Sequence, residues 1–237
     1  MHFSIKYMAL VLSFVWCMPS PSAYSQGVNQ AIEPRFEGSA VIDLLQGGTL
    51  DGWKVPSEHW ALDGITIVAN TGDIALDAPE WIYTKQHFSD FEFTCEMKLT
   101  GDESRNTGVY FRANSFLFKE KKRNVSYEAA SGYEFDAGYH RPGKRNMRGT
   151  LGDWYARPSL RIFPDKEIIN EVYNSGDWNR MTIRALGNRI EYWLNGIKII
   201  DYMDEDPNAS VKGAIGFQVH NGSVMMVKYR NIRVLPL

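Results

Sequence analysis

Two acidic residues and a histidine alternate with aromatic residues along one stretch of the chain, residues 132–140. This alternation at period two predicts a β-strand, in which successive side chains point to opposite faces. Glu134, Asp136 and His140 would then share one face, with the two carboxylates about 6.6 Å apart along the strand. Carboxylates placed together can accept and donate protons in acid–base catalysis. A polar strand face can also be merely solvated. Because this strand lies mid-chain in a β-rich sequence, we favour a cleft that these polar side chains line.

Two further predicted strands carry polar side chains that could join this face. Tyr110 and Arg112 share one face of a strand near the middle of the chain. Gln218 and His220 share one face of a strand near its end. Structural roles stay open for two of these residues: Arg112 could form a cross-strand ion pair with Glu134, and His220 could cap the turn that follows it.

A long segment that is rich in Arg, Pro and Gly, residues 141–177, is predicted to be irregular. Long loops inside compact domains are often functional. Trp154 in this segment could therefore stack on the ring of a ligand. His140 begins the Arg-Pro-Gly turn before it and could lie at the rim of a site or only support the turn.

The elements that must position these residues are short strands joined by tight turns. Asp63-Gly64 and Asn195-Gly196 each separate two short apolar runs, which indicates a hairpin, and the second pair predicts a type I′ turn. Strands recur with no convincing helix, internal repeat or second domain, and this pattern predicts an all-β sandwich. We assign residues 40–237 to one domain.

The first 25 residues have the features of a secretory signal sequence. Lys6 provides a positive charge, residues 8–18 are apolar, and small residues precede a predicted cleavage site after Ser25. The apolar run has about 11 residues, too few for the roughly 20 that span a bilayer. We therefore predict a secreted or periplasmic protein without a membrane span, with a flexible leader at residues 26–39.

Cysteine content and charge argue against several other classes of protein. If Cys17 leaves with the signal, Cys95 remains alone, and its place beside Phe91 and Phe93 on one strand face predicts a small buried side chain. No Cys/His spacing typical of a zinc site occurs in the sequence. The formal net charge is −2, and the basic cluster at residues 119–123 is too small for a nucleic-acid surface, so no nucleic-acid partner is expected.

A series of short motifs runs in order from about residue 40 to the C-terminus. They include Leu50-Asp51-Gly52-Trp53, Trp60-Ala61-Leu62-Asp63-Gly64, Asn106-Thr107-Gly108-Val109-Tyr110-Phe111-Arg112, Gly132-Tyr133-Glu134-Phe135-Asp136, Gly176-Asp177-Trp178-Asn179, Trp193-Leu194-Asn195-Gly196 and Gly216-Phe217-Gln218-Val219-His220. The ordered set resembles the DUF1080 family, also called the 3-keto-disaccharide hydrolase domain. The resemblance implies a concanavalin A-like lectin/glucanase jelly roll, which is a sandwich of two antiparallel sheets. It also implies a carbohydrate substrate, a 3-keto-glycoside that is cleaved at the bond to its anomeric carbon.

Two departures from the family pattern leave the substrate preference open. Asp136 stands where the family usually has glutamine. The stretch after residues 148–150 is longer and more basic than is usual in the family.

A 3-keto sugar changes the chemistry that the site must perform. The ketone acidifies the proton on C2, so a base can form an enolate that expels the C1 substituent, and water can then add. We hypothesise that Glu134 or His220 is the base and that Arg112 stabilises the enolate oxygen. Asp136 would position a hydroxyl or, with its pKa raised by its acidic neighbour, donate a proton. The residues expected to bind the substrate are Tyr110, Gln218, Trp154 and His140.

Other functions and mechanisms were weighed against this hypothesis. Two carboxylates on one strand approach a substrate from the same side. Ordinary glycosidases instead need two carboxylates that flank the scissile bond, so this arrangement suits their mechanism poorly. No cofactor is expected, although Glu134, Asp136 and His220 are conceivable ligands of a divalent metal. The alternative function is a non-catalytic, lectin-like carbohydrate-binding module, because a fold does not fix function. Two acids on one strand favour the enzyme.

Overall fold

The computed structural model of the chain describes residues 32–138 and 143–237. The predicted signal sequence and His140 lie outside the described residues. The elements are, in chain order, β1 Ile42–Asp43, β2 Trp53–Lys54, β3 Trp60–Asp63, β4 Thr66–Asn70, β5 Glu80–Phe88, β6 Phe91–Gly101, β7 Gly108–Glu120, β8 Val125–Asp136, β9 Leu151–Gly152, β10 Arg161–Ile162, α1 Lys166–Val172, β11 Asn179–Leu186, β12 Arg189–Leu194, β13 Ile197–Met203, β14 Gly213–Val219 and β15 Met225–Pro236.

Two sheets contain all of these strands. The eight-stranded sheet has the order β13-β12-β11-β6-β15-β4-β3, with β1 also paired to β15. The seven-stranded sheet has the order β10-β9-β8-β7-β14-β5-β2. Every strand pairing is antiparallel. The predicted all-β sandwich of two antiparallel sheets is confirmed.

The hydrophobic core lies between the two sheets, because each strand turns every second side chain inward. Phe93 and Cys95 of β6 are fully buried there, which confirms the prediction for the cysteine. Phe217 of β14 stacks on Tyr229 of β15 with ring centroids 3.8 Å apart, and so joins the sheets directly. The alternate residues of the seven-stranded sheet point away from this core, and we call that side its outer face.

The turns follow the sequence signals. Residues 63–66 join β3 to β4 at the Asp-Gly pair. Asn195 and Gly196 join β12 to β13 with φ values of 50° and 91°, the positive pair that a type I′ turn requires. The basic cluster at residues 119–123 is the largely exposed turn between β7 and β8.

The segment 143–177 is more regular than the sequence predicts. It contains β9, β10 and the short helix α1. Asp165 caps the helix by accepting a hydrogen bond from the Ile168 backbone N–H at 3.0 Å, and Ile169 is buried in the core. The helix was missed because only one of its side chains is buried, so it has no apolar periodicity. Within the described residues, the longest helix is far too short to cross a bilayer.

Candidate functional site

Strand register brings four of the expected site residues onto the outer face. Tyr110 of β7 lies directly opposite Glu134 of β8, and Gly108 lies opposite Asp136. On β14, Gln218 lies opposite a tryptophan of β5 and is buried. Directly opposed residues point to the same side of a sheet. The structure therefore places Tyr110, Glu134, Asp136 and Gln218 on one surface.

Glu134 is held in a closed environment. Its Oε2 accepts a hydrogen bond from the Tyr110 hydroxyl at 3.0 Å, while Oε1 is buried and has no hydrogen-bond partner among the described residues. Burial and the charge of Asp136 raise the pKa of Glu134 well above its ordinary value, and the Tyr110 hydroxyl and the Trp154 indole oppose this rise only in part. These surroundings favour the protonated form of the Glu134 carboxyl.

Asp136 is equally buried but has better partners for its charged form. Its Oδ1 accepts a hydrogen bond from the Gly138 backbone N–H at 2.9 Å. Burial raises the pKa of Asp136 to about 7, against the opposing effects of the Gly138 N–H and the Arg148 charge. Two coupled carboxyls in one closed site cannot both ionise readily, so they share a proton, and Asp136 is the one that ionises first.

Arg112 does not join this group, and the expectation that it shares the face of Tyr110 is wrong. The ladder between β7 and β8 has a bulge between Phe111 and Asn114, where Arg112 adopts a φ of 47°. The bulge breaks the two-residue alternation. The guanidinium instead donates from Nε to the Ser89 carbonyl at 2.7 Å.

The two other contacts of Arg112 are with the β11–β12 turn and with the β5–β6 turn, which connects the two sheets. Its Nη1 donates to the Gly187 carbonyl at 2.8 Å, and its Nη2 forms an ion pair with Asp90 at 3.0 Å. The Arg112 side chain is 1% exposed, whereas that of Asp90 is 40% exposed, so the guanidinium is buried and its carboxylate partner reaches solvent. The predicted ion pair with Glu134 does not form either.

His220 lies half-buried just after β14. Its Nδ1 is 2.7 Å from the Asn221 carbonyl, and its backbone N–H donates to the Asn106 carbonyl at 3.2 Å. These contacts agree with the interpretation of His220 as a turn-supporting residue. Asn106 itself places Oδ1 against Gly138, the residue whose N–H binds Asp136. This oxygen is buried and has no partner within residues 32–138 and 143–237.

Trp154 reaches the site from the segment after β9. Its indole lies over Gly152, where a β-carbon would overlap the ring. The Arg161 guanidinium lies 5.0 Å from the ring centroid. Trp154 thus packs beside Glu134 as part of the wall of the site.

Several aromatic residues of the outer face were not predicted as site residues. Trp81 and Tyr83 of β5 lie beside Tyr110, and the Trp81 and Tyr110 rings meet edge to face at 5.8 Å. Trp81 Nε1 and the Tyr83 hydroxyl are buried, and neither has a hydrogen-bond partner in the part of the chain that the structure describes. A cavity of about 410 Å³ lies against Trp81, Tyr83 and Tyr127. The period-two sequence of β5 could have revealed this pair, since both point to one face.

Two further residues near Asp136 carried no sequence signal. Arg148 donates from Nε to the Gly138 carbonyl at 3.1 Å and lies 4.0 Å above the ring centroid of Tyr173. The Tyr173 hydroxyl donates to the Ala137 carbonyl at 3.3 Å. Both come from the segment that sequence patterns predicted to be irregular, so strand periodicity could not place them.

The described residues contain no group of three or more His, Cys, Asp or Glu side chains that could hold a metal ion. Glu134 and Asp136 come together as a pair. His220, the third ligand considered from the sequence, is engaged with the Asn221 carbonyl.

Comparison with protein families gives a match over most of the chain. The model described as the 3-keto-alpha-glucoside-1,2-lyase-like domain matches residues 40–235. The chain belongs to this family. The match confirms the resemblance drawn from the ordered motifs. A comparison with curated proteins found no match.

Solved structures resemble this domain in fold. Two candidate glycosyl hydrolases from Parabacteroides distasonis align with TM-scores of 0.57 and 0.56 at 22% and 20% identity, covering 83% of this chain and 99% and 94% of theirs. A legume lectin-like domain from Entamoeba histolytica aligns with a TM-score of 0.52 at 12% identity, covering 79% of this chain and 91% of that chain. The jelly-roll fold of the 3-keto-alpha-glucoside-1,2-lyase-like domain is thereby confirmed.

Proposed function

We propose that this protein cleaves 3-keto-glycosides at the bond between C1 and the glycosidic oxygen. The observation that carries the proposal is the buried pair Glu134 and Asp136, in which burial raises the pKa of both carboxyls and brings that of Asp136 to about 7. An acid and a base in one site are what an elimination requires. Membership of the 3-keto-alpha-glucoside-1,2-lyase-like family supports the substrate class.

The pair suits elimination better than direct displacement. In an elimination, the base removes the C2 proton, the enolate forms, the C1–O bond breaks, and the leaving oxygen takes a proton from the acid. C2 and the leaving oxygen are close together, so two carboxylates on one strand can serve both atoms. Addition of water to C1 of the unsaturated ketone then completes a hydrolysis.

The electrostatics favour a division of roles within the pair. Asp136, with the lower pKa, is the base, and Glu134, which keeps its proton, is the acid for the leaving oxygen. The sequence suggested Glu134 or His220 as the base and Asp136 as a possible proton donor, so the two carboxyls exchange roles. Arg148, whose charge acts on Asp136, replaces Arg112 as the cation available to the enolate.

The test is mass-resolved turnover of a 3-keto-disaccharide and its unoxidised parent, with and without chelator. Wild type should cleave only the keto sugar, and Glu134→Gln and Asp136→Asn should each reduce turnover about 10²–10⁴-fold, as loss of an acid or base usually does. Glu205→Gln, at an exposed carboxylate, is the matched control. Sugar binding without cleavage by the folded wild type would instead support a carbohydrate-binding module.

We also propose that the enzyme is exported to the periplasm or the exterior. The predicted signal sequence at residues 1–25 is the support. N-terminal sequencing of the protein recovered from its native host should begin at Gln26. An intact Met1 in the cell interior would contradict export.

A further inference from the structure

A basic cavity is lined in part by Arg148, the residue whose charge acts on Asp136. Its volume is about 350 Å³, and it lies between the chain before β9 and the start of α1. Four of its lining side chains are cationic and, among the described residues, none is a carboxylate. The four are Lys144, Arg145, Arg148 and Lys166. The chain as a whole has a net charge of −2, so overall composition does not explain this concentration of positive charge.

Aromatic rings hold the two guanidiniums in place. Arg145 lies 4.2 Å above the ring centroid of Phe163, and Arg148 lies 4.0 Å above that of Tyr173. Stacking fixes the plane of a guanidinium and leaves its N–H groups directed outward at the edge. The donors of Arg145 can bind a planar or tetrahedral anion through paired hydrogen bonds.

The other cations of the cavity are not neutralised by carboxylates. Lys144, Arg145 and Lys166 form no ion pair with the described residues. The cavity also has apolar lining, including Phe163 and the buried Ile169. Apolar walls lower the local dielectric constant and so strengthen the attraction for an anion.

Arg148 joins this cavity to the carboxylate pair. It lines the cavity, and its Nε donates to the carbonyl of Gly138, the residue whose N–H binds Asp136. An anion bound to Arg148 in the cavity would thus be linked to Asp136 through Arg148 and Gly138 alone. We propose that the basic cavity binds an anionic substituent of the sugar substrate, a carboxylate or a sulfate, while Glu134 and Asp136 act on the neighbouring glycosidic bond. The assignment of the anion to the substrate rests on the proposed function.

The first experiment compares two substrates. A 3-keto-disaccharide with a uronate unit and its neutral counterpart are turned over by wild type, Arg145→Gln and Lys166→Gln. Each variant should lower kcat/KM about 10-fold for the uronate, the effect of losing one charge-assisted contact, and less than 2-fold for the neutral sugar. Lys121→Gln, in the exposed turn between β7 and β8, removes an equal charge and should affect neither. Equal losses on both substrates, or the same loss in the control, would overturn the proposal.

A second experiment does not depend on catalysis. Sodium sulfate is titrated into wild type, Glu134→Gln and the Arg145→Gln/Lys166→Gln double variant by calorimetry, with sodium chloride at matched ionic strength as the reference. Wild type and Glu134→Gln should bind sulfate and the double variant should not. If sulfate binds but no keto sugar is cleaved, the anion site stands and the proposed reaction fails. If sulfate does not bind, or binds the double variant equally, the site is absent.

Discussion

The Glu134 carboxylate occupies the space that a side chain at Gly108 would fill. A β-carbon on Gly108 would overlap Oε1, Cγ and Cδ of Glu134 on the neighbouring strand. Gly108 has no positive φ, so this glycine is required by the close approach of the carboxylate and not by its backbone conformation. The glycine thus lets the acid lie flat against the sheet.

Gly108→Ala should therefore displace Glu134. We expect a loss of about 1–3 kcal/mol in the free energy of unfolding, as is usual for overpacking, and at least a 10-fold fall in kcat for the keto sugar. Chemical denaturation and turnover measure the two effects. Adding Glu134→Ala should restore most of the stability, because it removes the overlapping atoms. Strictly additive stability losses would show that the two residues do not compete for space.

Stability should fall as the pH rises between about 4 and 7. A free aspartate titrates near 4, whereas burial raises the pKa of Asp136 to about 7. In this interval the folded state holds a proton that the unfolded state has released, so raising the pH favours unfolding. A shift of about three units corresponds to at most about 4 kcal/mol. Denaturation curves at successive pH values measure the slope.

Asp136→Asn is the variant that isolates this pH effect. Its amide can still accept the Gly138 hydrogen bond but does not titrate, so the variant should have a flatter pH profile and exceed wild type in stability at pH 8. An unchanged slope in Asp136→Asn would assign the pH dependence to other groups.

Alternation and turn residues predicted the sandwich because they are local signals. The face shared by Glu134 and Asp136 follows from two-residue spacing alone. Arg112 was misplaced because a bulge is an interruption of that spacing and has no fixed sequence signature. Arg148 and Tyr173 were missed because their contacts with the end of β8 join residues far apart in the chain. Such contacts depend on tertiary packing, which period-two patterns do not encode.

Two tyrosines of the outer face should respond oppositely to loss of the hydroxyl. The Tyr83 hydroxyl is buried without a partner, so Tyr83→Phe should leave stability unchanged or raise it by up to about 1 kcal/mol. Tyr110→Phe removes the hydrogen bond to Glu134 and should lower stability by about 1–2 kcal/mol. Thermal unfolding measures both.

Sugar binding by Tyr83→Phe should show whether the Tyr83 hydroxyl contacts the substrate. If a sugar hydroxyl pairs with the Tyr83 hydroxyl, Tyr83→Phe should weaken binding about 10-fold despite its undiminished stability. Calorimetry with the keto sugar and a non-hydrolysing Glu134→Gln background measures this. Binding equal to that of the background alone would show that the substrate does not reach Tyr83.

Arg112 should prove to be a structural residue. Arg112→Met removes the hydrogen bonds to Ser89 and Gly187 and leaves Asp90 without its ion-pair partner. Arg112 is buried but Asp90 is 40% exposed, so the main loss is that of hydrogen bonds made by a buried charged group, typically about 1.5–3 kcal/mol each. We expect a decrease of at least this size in the free energy of unfolding. Arg233→Met, at an exposed position, is the matched control and should have little effect.

The kinetics of folded Arg112→Met decide between the two roles considered for this arginine. Its guanidinium is bound to the β5–β6 and β11–β12 turns, so kcat/KM should stay within about 2-fold of wild type at temperatures where the variant is folded. Arg112→Lys keeps the charge but loses the paired donors, and should lie between wild type and Arg112→Met in stability. If Arg112→Met instead kept wild-type stability but lost more than about 100-fold in turnover, Arg112 would be the group that stabilises the enolate. A loss of that size is expected when an oxyanion contact is removed.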